Sequence, residues 1–219
     1  MCSSTGKRAR EGRESAKDGC SRWYDSGVAV PANLPFARTV RTVFLDRDGV
    51  INEKMPKGSY VRSSDELRLL DGAAEAIARL NRAGKRVLVV SNQRGIALGL
   101  YGMEDVQAIH AALVTRLAAR GAHVDRFYVC PHDKGQCNCR KPLPGLFEQA
   151  LAEFPEIETA SSVMIGDSLS DIEFGNRLGM RTILIGGDRQ LRGPAAKTVG
   201  EMAGLRCDSL AEAVDRMLE

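Results

Sequence analysis

The sequence predicts an α/β fold, a doubly wound, Rossmann-like and mainly parallel sheet, and three observations predict it. From residue 41 onward, apolar runs of strand length alternate with amphipathic stretches of helix length. The two clearest amphipathic stretches close on glycine, the residue that ends a helix at least cost. Three of the five apolar runs stop at aspartate, serine or asparagine, as strands do where a parallel sheet carries its ligand.

The elements follow in order. TVFLD (42–46) reads as a buried strand and RVLVVSN (86–92) as a second; FYVC (127–130), SVMIGD (162–167) and RTILIG (181–186) supply three more. Between the first two, GAAEAIARLNRAG places Ala73, Ile77 and Leu80 on one helical face before Gly84. DVQAIHAALVTRLAARG does the same with Val106, Ile109, Leu113 and Leu117 before Gly121. Further helices are expected at 144–153, 169–178 and 208–218.

The 219 residues suffice for one ordinary domain with a real core. With 43% hydrophobic and 27% charged residues, the chain has a globular rather than a disordered or fibrous profile. Residues 1–38 carry seven Lys/Arg against four Asp/Glu, which accounts for the whole net charge of +3. Rich in Gly, Ser and charge without period, they are expected to be a disordered extension, leaving residues 39–219 as the domain. The body is charge-balanced, so a nucleic-acid partner is not expected. The sequence has neither a long apolar run nor an apolar leader, so the expectation is a cytoplasmic protein with no membrane partner, acting as a monomer.

VFLDRDGVIN crowds Asp46 and Asp48 at the end of the first strand. Two carboxylates so close repel unless a cation or a shared proton sits between them. With Asp167 arriving from another strand, the set is oxygen-rich and suits Mg²⁺ with room for water. Phosphoryl transfer needs a nucleophile, a metal, a balancing cation and hydrogen-bond donors. Asp46 can attack phosphorus, Asp48 can protonate the leaving oxygen and later deprotonate water, Ser91 and Asn92 can donate to the phosphoryl oxygens, and Lys141 can balance their charge. Singly, DRDG is also a turn sequence, Ser91 a helix cap and Lys141 a solvated lysine. Their joint order on strand ends selects the catalytic reading.

In CPHDKGQCNCRKP, residues 130–142, Cys130, His132, Cys137 and Cys139 form a closed set of three sulfurs and one imidazole, which fits structural Zn²⁺. The plainer alternative is free thiols beside a surface histidine. Zinc would stiffen the loop that carries Arg140 and Lys141. His110 reads as a packing or surface residue rather than a catalytic one, and Cys2, Cys20 and Cys207 as isolated thiols.

DRDGVIN, SNQ, RKP and GDSLSD, in that order, resemble the four motifs of the haloacid dehalogenase-like (HAD) phosphatase superfamily over about residues 41–190. The resemblance implies Asp46 as nucleophile, Asp48 as acid/base, Ser91 and Lys141 as phosphoryl stabilisers, Asp167 as Mg²⁺ ligand with the backbone carbonyl of Asp48, and Asp171 in support. The segment between Gly58 and Asp71 resembles the family's short substrate loop, which implies no large cap domain. The zinc loop is similar to that of two groups, the D-glycero-D-manno-heptose 1,7-bisphosphate phosphatases and the histidinol-phosphate phosphatases. SNQRGIALG resembles the heptose pattern, although Leu98 stands where arginine is common, and the His132 to Cys137 gap is nearer the histidinol type. That resemblance implies a phosphorylated sugar as ligand, with Ser91, Asn92, Gln93, Arg94 and Arg140 as its contacts. The leading expectation is hydrolysis of the 7-phosphate of the heptose bisphosphate; histidinol phosphate is the alternative, and an inactive zinc-stapled binding scaffold is the alternative of another class.

Overall fold

A computed structural model describes residues 39–56, 58–186 and 200–219. The expectation for residues 1–38 lies outside the described residues. Within them the alternation becomes β1 (Thr42–Leu45), α1 (Ala73–Arg82), β2 (Arg86–Asn92), α2 (Arg94–Ala97), α3 (Met103–Ala118), β3 (Arg126–Cys130), α4 (Gly145–Glu153), β4 (Ser162–Gly166), α5 (Leu169–Arg177), β5 (Arg181–Ile185), β6 (Leu205–Cys207) and α6 (Leu210–Leu218). All five expected strands form, and every expected helix is present within three residues of its ends. Two short elements had no usable period: the four-residue α2 and the three-residue β6, which gives the buried Cys207 a place in the core.

The six strands lie in the order β3-β2-β1-β4-β5-β6, and every pairing is parallel. The side-chain period of two sorts each strand between two hydrophobic layers. Val43, Leu45, Val87, Val89, Val163 and Ile165 join α1, α3 and α6 on one face. Phe44, Leu88, Val90 and Met164 join Leu146, Phe147 and Phe174 of α4 and α5 on the other. Each fully buried Leu or Ile in these layers contributes about 1.5–3 kcal/mol. Sequence order runs outward from β1 to β3 on one side, and from β4 to β6 on the other. The carboxyl ends of β1 and β4 therefore flank the switch point, where an open parallel sheet leaves a crevice. Among the described residues, no helix is long and apolar enough to cross a membrane.

Candidate active site

A cavity of about 300 Å³ opens over that crevice, lined by Asp46, Asp48, Ser91, Asn92, Arg140, Lys141, Asp167 and Asp171 from the strand ends and by residues 54–56 and 58–61 of the loop after β1. The turn after β1 requires Gly49. Its φ is +97°, and a Cβ there would lie 2.2 Å from Asp167 Oδ2. Gly49 thus lets the β1 and β4 ends approach.

Carboxylate oxygens of Asp46, Asp167 and Asp171 lie within 4.8 Å of one another. Lys141, 3% exposed, donates from Nζ to Asp46 Oδ1 at 2.8 Å and to the Val90 carbonyl at 2.6 Å, and pairs with Asp171 Oδ1 at 2.6 Å. It is no solvated lysine. Burial opposes its charge, but Asp171 and Asp46 outweigh burial and hold its pKa above the ordinary lysine value. Burial lifts the Asp46 carboxyl to about 7, with Lys141 pulling the other way and Asp171, Asp167 and Asp48 adding to the rise. Asp167 is likewise raised by burial, against the pull of Lys54. Lys54, which the sequence had not singled out, donates to both Asp167 oxygens at 2.8 and 2.7 Å. A second cation thus faces the carboxylates from the loop.

Asp48 lines the cavity, but its carboxylate is not one of the three clustered groups. It accepts two hydrogen bonds from Arg47 Nη2 at 3.0 and 2.9 Å, one from Asn52 and one from Gln93. Burial opposes its charge, yet the Arg47 charge and these hydrogen bonds prevail and hold it below the usual carboxylate range. Arg47 is fully buried and also reaches His110 Nε2 at 3.4 Å. Burial first, then the Arg47 charge, lower His110 to about 4, and its ring stacks on Phe127 at 4.3 Å, so of the packing and surface readings the structure selects packing. The one signal for Arg47 was a cation between two aspartates at a buried strand end.

Ser91 is 1% exposed and accepts from Gln93 Nε2 at 2.7 Å. The Asn92 side chain pairs with the Lys141 backbone in both directions, at 3.1 and 3.0 Å, clipping β2 to the RKP segment. Arg140 lines the cavity, and its Nη1 is buried without a hydrogen-bond partner. Gln93 and Arg94 do not line it. Gln93 turns into the protein toward Asp48, Ser91 and Tyr101, and Arg94 pairs with Asp133 of the cysteine loop at 2.6 Å.

Cys130, His132, Cys137 and Cys139 bring their ligand atoms within 4.8 Å of one another. A tetrahedral zinc with the usual bond lengths sets donor separations of about 3.5–3.8 Å. The quartet shows Cys130 Sγ to Cys137 Sγ at 3.6 Å, Cys130 Sγ to His132 Nδ1 at 3.9 Å, and His132 Nδ1 to Cys139 Sγ at 3.3 Å. The donor set and its spacing fit Zn²⁺.

A family model described as "HAD-hyrolase-like" matches residues 138–213. A D-glycero-alpha-D-manno-heptose-1,7-bisphosphate 7-phosphatase of Mycobacterium tuberculosis is 44% identical over 137 residues, 62% of this chain and 72% of that one. A D-glycero-beta-D-manno-heptose-1,7-bisphosphate 7-phosphatase of Bordetella bronchiseptica is 35% identical over 82% of this chain and 99% of that one. Among solved structures, a D,D-heptose 1,7-bisphosphate phosphatase from B. bronchiseptica complexed with magnesium and phosphate superposes with a TM-score of 0.71 at 32% identity, covering 82% of this chain and 98% of that chain. Its counterpart from Burkholderia thailandensis gives 0.57 at 35%, covering 82% and 99%.

Proposed function

The chain belongs to the heptose-1,7-bisphosphate 7-phosphatase family of HAD-like hydrolases, and from that premise we propose that it removes the 7-phosphate of D-glycero-D-manno-heptose 1,7-bisphosphate through an aspartyl-phosphate on Asp46. One observation carries the assignment of Asp46. Of the three clustered carboxylates among the described residues, Asp46 is the one whose side chain stays partly open, 12% exposed against 1% for Asp171 and 0% for Asp167, while Lys141 holds it in place.

Asp46 attacks phosphorus, the bond from phosphorus to the sugar oxygen breaks, and that oxygen takes a proton from Asp48. Water then attacks the phosphoryl group, gives its proton to Asp48 and frees Asp46. Asp46, Asp167 and the backbone carbonyl of Asp48 would hold Mg²⁺, which when bound favours the ionised form of Asp46 and balances phosphoryl charge. In the structure the proton affinities run the other way, high at Asp46 and low at Asp48. Asp46 would lose its proton more readily with Mg²⁺ held beside it, and Asp48 would gain one as the substrate's phosphate charge approaches. Lys141, with Ser91, holds the phosphoryl oxygens, and Arg140 meets the substrate from the cavity wall. The cysteine quartet would hold Zn²⁺ and keep the Arg140–Lys141 segment in place.

Phosphate release from heptose 1,7-bisphosphate and from histidinol phosphate, measured side by side with Mg²⁺, tests this reading. The bisphosphate is expected to be preferred by at least about a hundredfold in kcat/KM. Preference for histidinol phosphate, or inactivity toward both, would overturn it.

A further inference from the structure

Gln93 sits in the SNQ motif, yet it is 1% exposed and points away from the cavity. Its amide hydrogen-bonds to both Asp48 and Ser91. Nε2 donates to Asp48 Oδ2 at 2.9 Å and to Ser91 Oγ at 2.7 Å. A carboxylate only accepts, so the atom of Gln93 facing Asp48 must be the NH₂. What keeps the amide that way round is on its other side. Tyr101 donates its hydroxyl to Gln93 Oε1 at 2.7 Å. Tyr101 is itself buried, and burial pushes its phenol up to about 12, so it stays a proton donor throughout the neutral range. Gly95 makes room for it, since a Cβ there would lie 2.1 Å from the phenol ring. Beyond Tyr101, the Tyr60 ring packs at 5.8 Å and 59°, and Tyr60 lines the cavity.

We infer that Tyr101 is a positioning residue for the phosphatase reaction, fixing the Gln93 amide so that it holds Asp48 where it can protonate the departing sugar oxygen. If Tyr101 loses its hydroxyl, Gln93 Oε1 is left buried without a donor, and the amide gains by turning over. The flipped amide would set Oε1 against the Asp48 carboxylate and drive it from its place. A Ser91 hydroxyl that turns to donate to that same oxygen loosens its hold on the phosphoryl group for every substrate alike, so the loss confined to the sugar substrate is the part that reports on Asp48. This inference rests on the proposed role of Asp48 as the acid.

The test exploits the leaving group. A sugar alkoxide is a poor leaving group and needs a proton as it departs, whereas p-nitrophenolate leaves as a stable anion. Single-turnover release of the alcohol, with enzyme in excess, isolates the first step and excludes the later water attack. Tyr101→Phe and Gln93→Met are each expected to slow that step about tenfold with heptose 1,7-bisphosphate. Release of p-nitrophenol from its phosphate is expected to fall at least about threefold less than release of the sugar, the difference being the part that depends on the acid. Melting temperatures within a few degrees of the parent exclude a folding defect, and two variants guard against one of them failing to fold. Equal losses on both substrates would place Gln93's action on Ser91 and overturn the inference, as would no loss on either. Asp48→Asn serves as the control. If it fails to discriminate between the leaving groups, the acid role falls. If it discriminates while Tyr101→Phe and Gln93→Met do not, only the Tyr101–Gln93 link falls.

Discussion

The carboxylate cluster and the cysteine loop are two answers to the same problem, that of gathering cation ligands in one place. At the ends of the central strands β1 and β4, Asp46, Asp167 and Asp171 face a cavity and are partly neutralised by Lys141 and Lys54. After the edge strand β3, Cys130, His132, Cys137 and Cys139 close on one another. Hard oxygens with open positions leave a metal free to meet phosphate, while three sulfurs and an imidazole complete a shell and leave none. The first arrangement is suited to chemistry and the second to holding a loop. They meet at Cys139-Arg140-Lys141, where the end of the second supplies Arg140 and Lys141 to the first.

The sharpest way to break the comparison is Asp46→Asn. It is expected to cost at least about a thousandfold in kcat while zinc content and melting temperature hold, because the two sites do not share ligands. Retained turnover would refute the covalent route. Lys141→Met comes next. It strands the buried carboxylates of Asp46 and Asp171, and a stability loss of about 3–5 kcal/mol is expected in denaturant titration with EDTA present. Mg²⁺ should recover part of it.

Cys137→Ser acts on the other side. Zinc content by metal analysis and melting temperature should fall together, the latter by about 10 °C, since binding energy is folding energy for that loop. Activity should fall less than for Lys141→Met, because Asn92 still clips the Lys141 backbone. Purified protein without zinc would sink the staple reading.

A smaller effect separates the two sites by pH. The folded Asp46 titrates near 7 against an ordinary 3.8, so the folded form binds more protons between those values. In EDTA, stability should therefore decline as pH rises from about 4 to 7. Mg²⁺ should flatten that decline, as should Asp46→Asn, and a profile identical with and without Mg²⁺ would argue against metal at Asp46. The smallest effect is expected of Arg94→Ala. Its exposed pair with Asp133 joins α2 to the cysteine loop, and a shift of no more than about 1–2 °C with full zinc content should result.

The sequence by itself determined the alternating strands and helices, the strand ends that bear chemistry and the cysteine quartet. Each depends on local information: period, turn residues and spacing within about a dozen positions. The faces of α1 and α3 came out as their apolar spacing requires, with Ile77, Leu80, Ile109 and Leu113 all buried. Only the tertiary structure decided which way polar side chains turn once the strand ends converge. Lys54 meets Asp167 across 113 positions, and Gln93 reaches Asp48 across 45. Nothing in SNQRG indicates that glutamine faces inward while the neighbouring arginine seeks Asp133. Those choices follow from buried groups seeking partners, a condition that arises only after the sheet has removed them from water.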